Sequence, residues 1–247
     1  MRPFVYRPSG YTKGIMEAQA EILRTQLRAN DGDLYLCHLF TPPDQRARML
    51  ALYAAYSEIA RIPGEVSAPM VGAIRLQWWR DALASAAAGS AASPFVAALA
   101  SVGFRADDIA CLIDGRTLAL ERAQSPTLDV LETEAAIVGP AFMRLSLEAL
   151  GLGETPCPDW ARDAGIGFEL VRLAHNGPSE AVMTRATTWL QTARSGFNAL
   201  PRRDRAKLLP AFLIIGLTAR FARRWPAQDL LLRHQMRLLV SAFRGKI

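Results

Sequence analysis

The sequence contains little cysteine and histidine, and this scarcity excludes several kinds of site. Cys37, Cys111 and Cys157 lie far apart and form no CxxC pair, so neither a zinc site nor a disulfide framework is predicted. Thiols without a pairing pattern favour a reducing compartment. The three histidines are equally scattered. Their spacing predicts neither a histidine-based metal cluster nor a Ser-His-Asp hydrolase.

Long apolar runs and strand-like alternation are also missing. The longest apolar run, at 208–219, is shorter than the roughly 20 residues that a membrane-spanning helix needs. Residues 1–14 are interrupted by proline and glycine and have no apolar core, which argues against a secretory signal and predicts a flexible N-terminal arm. We therefore expect a cytoplasmic protein, attached to the inner face of the inner membrane only peripherally if at all.

The chain is instead rich in residues that favour helices. Alanine and leucine dominate, 51% of the 247 residues are hydrophobic and 21% are charged, so a large helical core is predicted. Apolar residues recur at helical spacing past residue 15, without an interdomain linker or an internal repeat. This pattern predicts one all-α domain over residues 15–247 with about eight to ten helices. The predicted breaks between helices are at 41–44, 62–69, 87–94, 124–127, 151–158, 175–180 and 224–228.

The formal net charge of +6 favours anionic partners. Two basic clusters, at 201–207 and 219–225, would suit an anionic membrane surface. An ordinary solvated helix face explains the same clusters equally well. The chain carries no signature of a nucleic-acid-binding module, so we expect no nucleic-acid partner.

Six stretches follow one another in an order that is typical of one enzyme family. They are "GDLYLCHLFTPPD", "LYAAYSEIARI", "GAIRLQWWRDAL", "LIDGRTLALE", "LETEAAIVGPAFMRLSLEALG" and "AGIGFELVRLAHN". Together they resemble the squalene/phytoene synthase family over roughly residues 30 to 225. The most specific block is "IRLQWWRDAL". On helical spacing alone, both of its tryptophans are predicted to be core residues, with Arg80 and Asp81 at a solvated helix end.

The resemblance implies an all-α isoprenoid-synthase fold, with helices around a central cavity. Active members of the family condense two prenyl diphosphates head to head. They use two aspartate-rich helical motifs that hold Mg²⁺ against the departing diphosphate. Carboxylate pairs suit this role because Mg²⁺ prefers hard oxygen ligands.

The first of these motifs falls on "SEIAR" in this sequence. Ser57 stands at its first acidic position, Glu58 at its second and Arg61 at its last. Arginine in place of a carboxylate changes the local charge by two units, each worth on the order of 4 kcal/mol at about 4 Å and an effective dielectric near 20. Glu58 and Arg61 are also spaced to form an i,i+3 ion pair. The first metal site is therefore predicted to be lost.

The second motif falls on residues 169–176. Glu169 replaces a glutamine, Arg172 an asparagine and Asn176 the first aspartate, while Glu180 stands at the second acidic position. Gly177 and Pro178 lie between the last two and should break the helix. Asn176 and Glu180 need not share a face, so a second metal cradle is not predicted either.

The resemblance, combined with helical spacing on the two motif helices, also implies which residues line the cavity. Residues four apart lie on one helix face. On each motif helix, the i,i+4 spacing places three residues on the face towards the cavity. These residues offer aromatic, hydroxyl, amide and cationic groups in place of a metal cradle. The predicted lining consists of Tyr53, Ser57, Arg61, Phe168, Arg172 and Asn176.

Three functions are compatible with these residues. The favoured one is a non-catalytic assembly or scaffold factor without a cofactor, because "SEIARIPGEVSAP" resembles the branch of the family that assembles respiratory complex I. The second is an active prenyltransferase in which Glu58 and Glu180, with Asp81 or Asp114, bind Mg²⁺ while arginines clamp phosphate. The third is a carrier or sensor that holds a lipid, quinone or isoprenoid in the cavity.

Overall fold

A computed structural model describes residues 10–87, 89–90, 92–122, 126–153, 156–174, 179–224 and 245. Over these residues the regular structure consists of ten α-helices, without a strand. The all-α prediction and the predicted number of helices are confirmed. The helices are α1 (Gly10–Asn30), α2 (Gly32–His38), α3 (Arg46–Glu65), α4 (Pro69–Ala87), α5 (Pro94–Ser101), α6 (Ala106–Glu121), α7 (Leu128–Ala149), α8 (Asp159–Leu173), α9 (Glu180–Ala199) and α10 (Arg202–Arg224).

Six of the nine junctions between these helices lie at predicted breaks, whereas those at residue 31, at 102–105 and at 200–201 were not predicted. Two helix ends also differ from the prediction. The first helix begins at Gly10, so residues 10–14 of the predicted arm are helical, while residues 1–9 lie outside the described residues. The third helix continues to Glu65, past Pro63 and into the predicted break at 62–69. None of the described helices is long and apolar enough to cross a bilayer.

The bundle is built around α3, α7 and α8, with α8 packed between α7 and α9. Helices α7 and α8 approach so closely that their backbones touch. A Cβ atom added to Gly139 would lie 2.2 Å from the carbonyl oxygen of Gly165, and one added to Gly165 would lie 2.2 Å from the backbone of Gly139. No residue with a side chain fits at either position without moving a helix.

Four aromatic rings fill the space between α3, α7 and α8. Phe142 stacks on Phe168 with 5.3 Å between ring centroids, and Tyr56 lies 4.2 Å from Phe142. Tyr53 contacts the same Phe142 ring at 5.6 Å. All four side chains are buried. Aromatic pairs at these distances add to the stability gained from burial alone.

Helix α4 packs against α6, α5 and α3. Trp79 is buried, but Trp78 is 43% exposed, so the prediction that both tryptophans are core residues is wrong for Trp78. The two positions are adjacent and therefore point about 100° apart on the helix. Arg80 donates to Asp114 of α6 at 2.7 Å on the surface, and Asp81 is exposed. Both residues lie within α4, which continues to Ala87, and not at a helix end as predicted.

Candidate functional site

A pocket of about 720 Å³ opens at one end of the bundle. Its walls come from the α1–α2 junction, the end of α3 and the facing parts of α6, α7 and α8. The pocket is lined by equal numbers of basic and acidic residues, so its formal charge is balanced. The charged residues are Arg28, Arg61, Arg116, Arg122 and Arg172, together with Asp31, Asp33, Glu65, Glu134 and Glu169.

The floor of the pocket is a buried ion network between α6, α7 and α8. Arg116 is 3% exposed and donates to Glu134 at 3.3 Å and to Glu169 at shorter range. Glu134 accepts a second bond, at 2.6 Å, from Arg122 at the end of α6. Tyr56 of α3 donates its hydroxyl to Glu169 at 2.6 Å. The network therefore joins four helices through two buried carboxylates.

Burial and pairing act in opposite directions on the charges of this network. Burial lowers the pKa of Arg116, but Glu169 and the other neighbours more than offset it, so that pKa is raised. Burial raises the pKa of Glu134, against the pull of Arg122 and Arg116. The pKa of the Tyr56 hydroxyl is raised as well, first by burial and then by Glu169. Only the mutual compensation of charges makes such buried groups tolerable.

Arg172 forms a second layer above this network. Its guanidinium pairs with Asp31, which also caps α2 by accepting from the Leu34 amide at 2.9 Å. The guanidinium lies over the ring of Tyr56 at 5.2 Å and over that of Phe168 at 5.5 Å. These cation–π contacts, in addition to the ion pair with Asp31, hold the Arg172 side chain in place.

The helix that carries "SEIAR" contributes the rim of the pocket. Arg61 lies 3.6 Å from Glu58, and its Nε donates to Glu65 at 2.7 Å. Glu58 also accepts from Asn30 at the end of α1. Ser57, one turn deeper than Arg61, is buried, and its hydroxyl has no partner among the described residues. The i,i+3 pairing predicted for Glu58 and Arg61 is thus present.

Comparisons with known proteins assign this arrangement to a family. The family model of squalene/phytoene synthases matches residues 27–178, which include all the pocket residues named above. The chain belongs to the squalene/phytoene synthase family. Helix order and motif order therefore agree with the resemblance seen in the sequence.

Two relatives illustrate the range of this family. The chain is 26% identical over 178 residues to the rat (Rattus norvegicus) NADH dehydrogenase (ubiquinone) complex I, assembly factor 6. That match covers 69% of this chain and 50% of the relative, so the chain spans about half the length of the curated relative it matches. The crystal structure of the squalene synthase HpnC from Alicyclobacillus acidocaldarius superposes with a TM-score of 0.63 at 14% identity, covering 94% of this chain and 96% of that one. This second likeness shows the shared fold.

In this family member the predicted cavity lining is divided between the pocket and the core. Arg61 and Arg172 line the pocket. Tyr53, Ser57 and Phe168 are buried beneath it, because the aromatic cluster fills the space that these side chains were expected to border. Asn176 lies outside the described residues.

The remaining acidic candidates point away from the pocket. Glu180 is exposed at the start of α9, where Ser179 caps the helix. Asp114 is engaged by Arg80 on the surface, and Asp81 accepts from Gln77 at 2.8 Å. None of the three lies among the residues found to line the pocket.

The central residues of the network, Arg116 and Glu134, were missed by reasoning from motifs. A signal for them was nevertheless present, because Arg116 follows Ile109, Leu112 and Ile113 on the buried side of α6. A charged residue at a core position of an amphipathic helix needs a buried partner.

The donor set of this pocket does not suit Mg²⁺. Asp31, Glu65, Glu134 and Glu169 each have a guanidinium partner. Among the residues that the structure describes, no three histidine, cysteine or acidic side chains come together as a metal site would require. To reach the oxygens of Glu134 and Glu169, a Mg²⁺ ion would have to displace the buried guanidinium of Arg116.

Proposed function

We propose that this member of the squalene/phytoene synthase family has no prenyl diphosphate condensation activity and acts as an assembly factor for respiratory complex I. The proposal places it at the cytoplasmic face of the inner membrane, where the exposed basic residues Arg202, Arg203 and Lys207 would favour an anionic surface. A lipid or isoprenoid in the pocket is compatible with this role but not required by it.

The observation that carries the proposal is the Arg116–Glu134–Glu169 network. Catalysis by head-to-head condensation requires carboxylates that are available to metal ions at the mouth of the cavity. Here the two buried carboxylates are neutralised by arginines instead. At the rim, Arg61 pairs with Glu58 and Glu65. Arg61 thus brings a guanidinium to the last acidic position of the first motif, where an active synthase would use a carboxylate to hold Mg²⁺.

The similarity to the rat assembly factor supports the second half of the proposal. The match covers most of this chain, although it covers half of the relative. A family member without a metal cradle still has a folded helical surface, and assembly functions need surfaces rather than chemistry.

A deletion experiment tests the assembly role. Removing the gene from its organism should lower NADH:quinone oxidoreductase activity in isolated membranes, while carotenoid and hopanoid levels stay unchanged. Re-expression of the chain should restore the oxidoreductase. Normal oxidoreductase with depleted isoprenoids would instead support the active prenyltransferase.

A biochemical experiment tests the loss of catalysis separately. The purified chain is incubated with farnesyl or geranylgeranyl diphosphate and Mg²⁺, and pyrophosphate release is followed over time. We expect no release above a control without protein. Steady Mg²⁺-dependent turnover would contradict this half of the proposal and would require metal ligands other than the paired carboxylates.

A further inference from the structure

Helix α4 carries an apolar stripe that the rest of the described chain leaves uncovered. Met70 is 75% exposed, Ile74 64% and Trp78 43%, and their i,i+4 spacing places them along one side of the helix over roughly 12 Å. Residues 66–74 contain no charged side chain. A contiguous exposed apolar surface often marks an interaction site.

A groove of about 340 Å³ runs beside this stripe, between α3 and α4. Ile62 and Trp79 are buried at its base, while Ile74 and Trp78 form one wall. We refer to the stripe and this groove together as the α4 groove. Aromatic and branched apolar side chains around a concave site provide the anchor pockets in which binding energy concentrates.

The charged residues at the edge of the α4 groove indicate whether a lipid surface or a protein binds there. Glu58, Glu65 and Arg75 border it, with their side chains 28%, 40% and 51% exposed. Arg61 pairs with both carboxylates, so this edge carries no surplus of basic charge that would attract it to an anionic lipid surface. An apolar base with a polar edge of both charges is instead the arrangement of protein–protein interfaces. Arg75 lies 3.8 Å from Glu65, which it shares with Arg61, and its side chain is 51% exposed, so its guanidinium can also donate to a carboxylate of a partner.

We infer that the α4 groove docks an amphipathic helix of a partner protein. The partner helix places apolar side chains at i and i+4 against Ile74 and Trp78, and a carboxylate opposite Arg75. Helix-in-groove recognition uses this spacing of anchors. The inference rests on the proposed function in one respect, because it names a complex I subunit as the protein that supplies the helix.

Photocrosslinking in the source organism tests the contact directly. Benzoylphenylalanine is introduced at Ile74, with Val130 of α7, which is 45% exposed, as the matched control position. We expect an adduct between position 74 and a complex I subunit, identified by immunoblot, and none from position 130. The Arg75→Glu variant should reduce the adduct at least about tenfold, because it replaces the attraction for a carboxylate by repulsion.

Other adducts or another ligand would overturn the inference. An adduct to a second copy of the chain, adducts to lipid alone or no adduct at position 74 would each do so. Flotation of the purified chain with vesicles of phosphatidylcholine and phosphatidylglycerol, abolished by Ile74→Asp but not by Val130→Asp, would assign the stripe to the membrane.

Complementation separates this inference from the proposed function. In the deletion strain, Met70→Asp/Ile74→Asp should fail to restore NADH:quinone oxidoreductase, whereas Val130→Asp should restore it, with both proteins folded by circular dichroism. Full rescue by the double variant would overturn the α4 groove while the assembly role stands. A deletion strain with normal oxidoreductase would overturn the assembly role, and the partner named here with it.

Discussion

The buried network predicts a large and pH-dependent loss of stability when its arginine is removed. Arg116→Met keeps most of the side-chain volume but takes the cation away from Glu134 and Glu169, which are 2% and 0% exposed. Glu134 keeps Arg122 at 2.6 Å. Glu169 keeps only the Tyr56 hydroxyl and more distant charges. Breaking a buried pair on one side costs about 3–5 kcal/mol, and we expect the free energy of unfolding to fall by that amount at pH 7.

The sign of the pH dependence follows from the carboxylates. In the variant, the buried carboxyl groups have pKa values above those of the unfolded chain, so the folded state binds more protons between the two pKa values. The stability deficit of Arg116→Met relative to the parent should therefore shrink as the pH is lowered from 7 towards about 4. In the parent, Arg116 and Arg122 oppose the upward shift that burial gives the pKa of Glu134, so the same recovery is smaller there.

Urea unfolding followed by circular dichroism measures both effects. Arg80→Met is the matched control, because Arg80 pairs with Asp114 on the surface. The pair is separated by 2.7 Å, and the two side chains are 35% and 59% exposed. This substitution should lower the free energy of unfolding by less than about 1 kcal/mol. The quadruple variant Arg116→Met/Glu134→Leu/Glu169→Leu/Tyr56→Phe should recover most of the loss, since it leaves neither a buried charge nor the Tyr56 hydroxyl without a partner. A cost below about 1 kcal/mol for Arg116→Met would refute the reasoning.

Three further outcomes follow from buried groups. Burial, together with two nearby arginines, lowers the pKa of His38 to about 4. Since the pKa of His38 in the unfolded chain is near 6.5, the free energy of unfolding should fall by about 2 kcal/mol from pH 7 to pH 5. Urea titrations of His38→Gln should not show this fall. Gly139→Ala or Gly165→Ala should lower stability by at least about 2 kcal/mol in thermal melts, because the added Cβ meets backbone at 2.2 Å. Tyr56→Phe should cost about 1.5–3 kcal/mol in the same urea assay, by removing the hydroxyl that donates to Glu169.

The parts of this molecule that depend on nearby residues could be predicted from the sequence. Helical spacing predicted the all-α class, and the order of six motifs predicted the family. The pair of Glu58 and Arg61 was predictable because both residues lie on one helix, one turn apart, and it is present at 3.6 Å. Local geometry is determined by spacing along the chain.

The network at the base of the pocket could not be predicted in the same way. Arg116 is 18 residues from Glu134 and 53 from Glu169, and their contact depends on how three helices cross. The position of Phe168 had the same limit, because spacing defines a face of α8 but not what lies opposite it. Phe142 of α7 stacks on that face, so Phe168 became part of the core.

The contact between Arg116, Glu134 and Glu169 also constrains how the sequence can change over evolutionary time. Arg116 compensates the charge of both carboxylates and they compensate its charge, so a substitution at one position is harmful until a second position changes. Related chains should therefore retain all three residues or replace them together. An acidic residue reintroduced at one motif position alone would meet arginines that already have partners. Under the proposed loss of catalysis, return to a metal-binding pocket would require several coordinated substitutions, because the arginines of the pocket already pair with carboxylates.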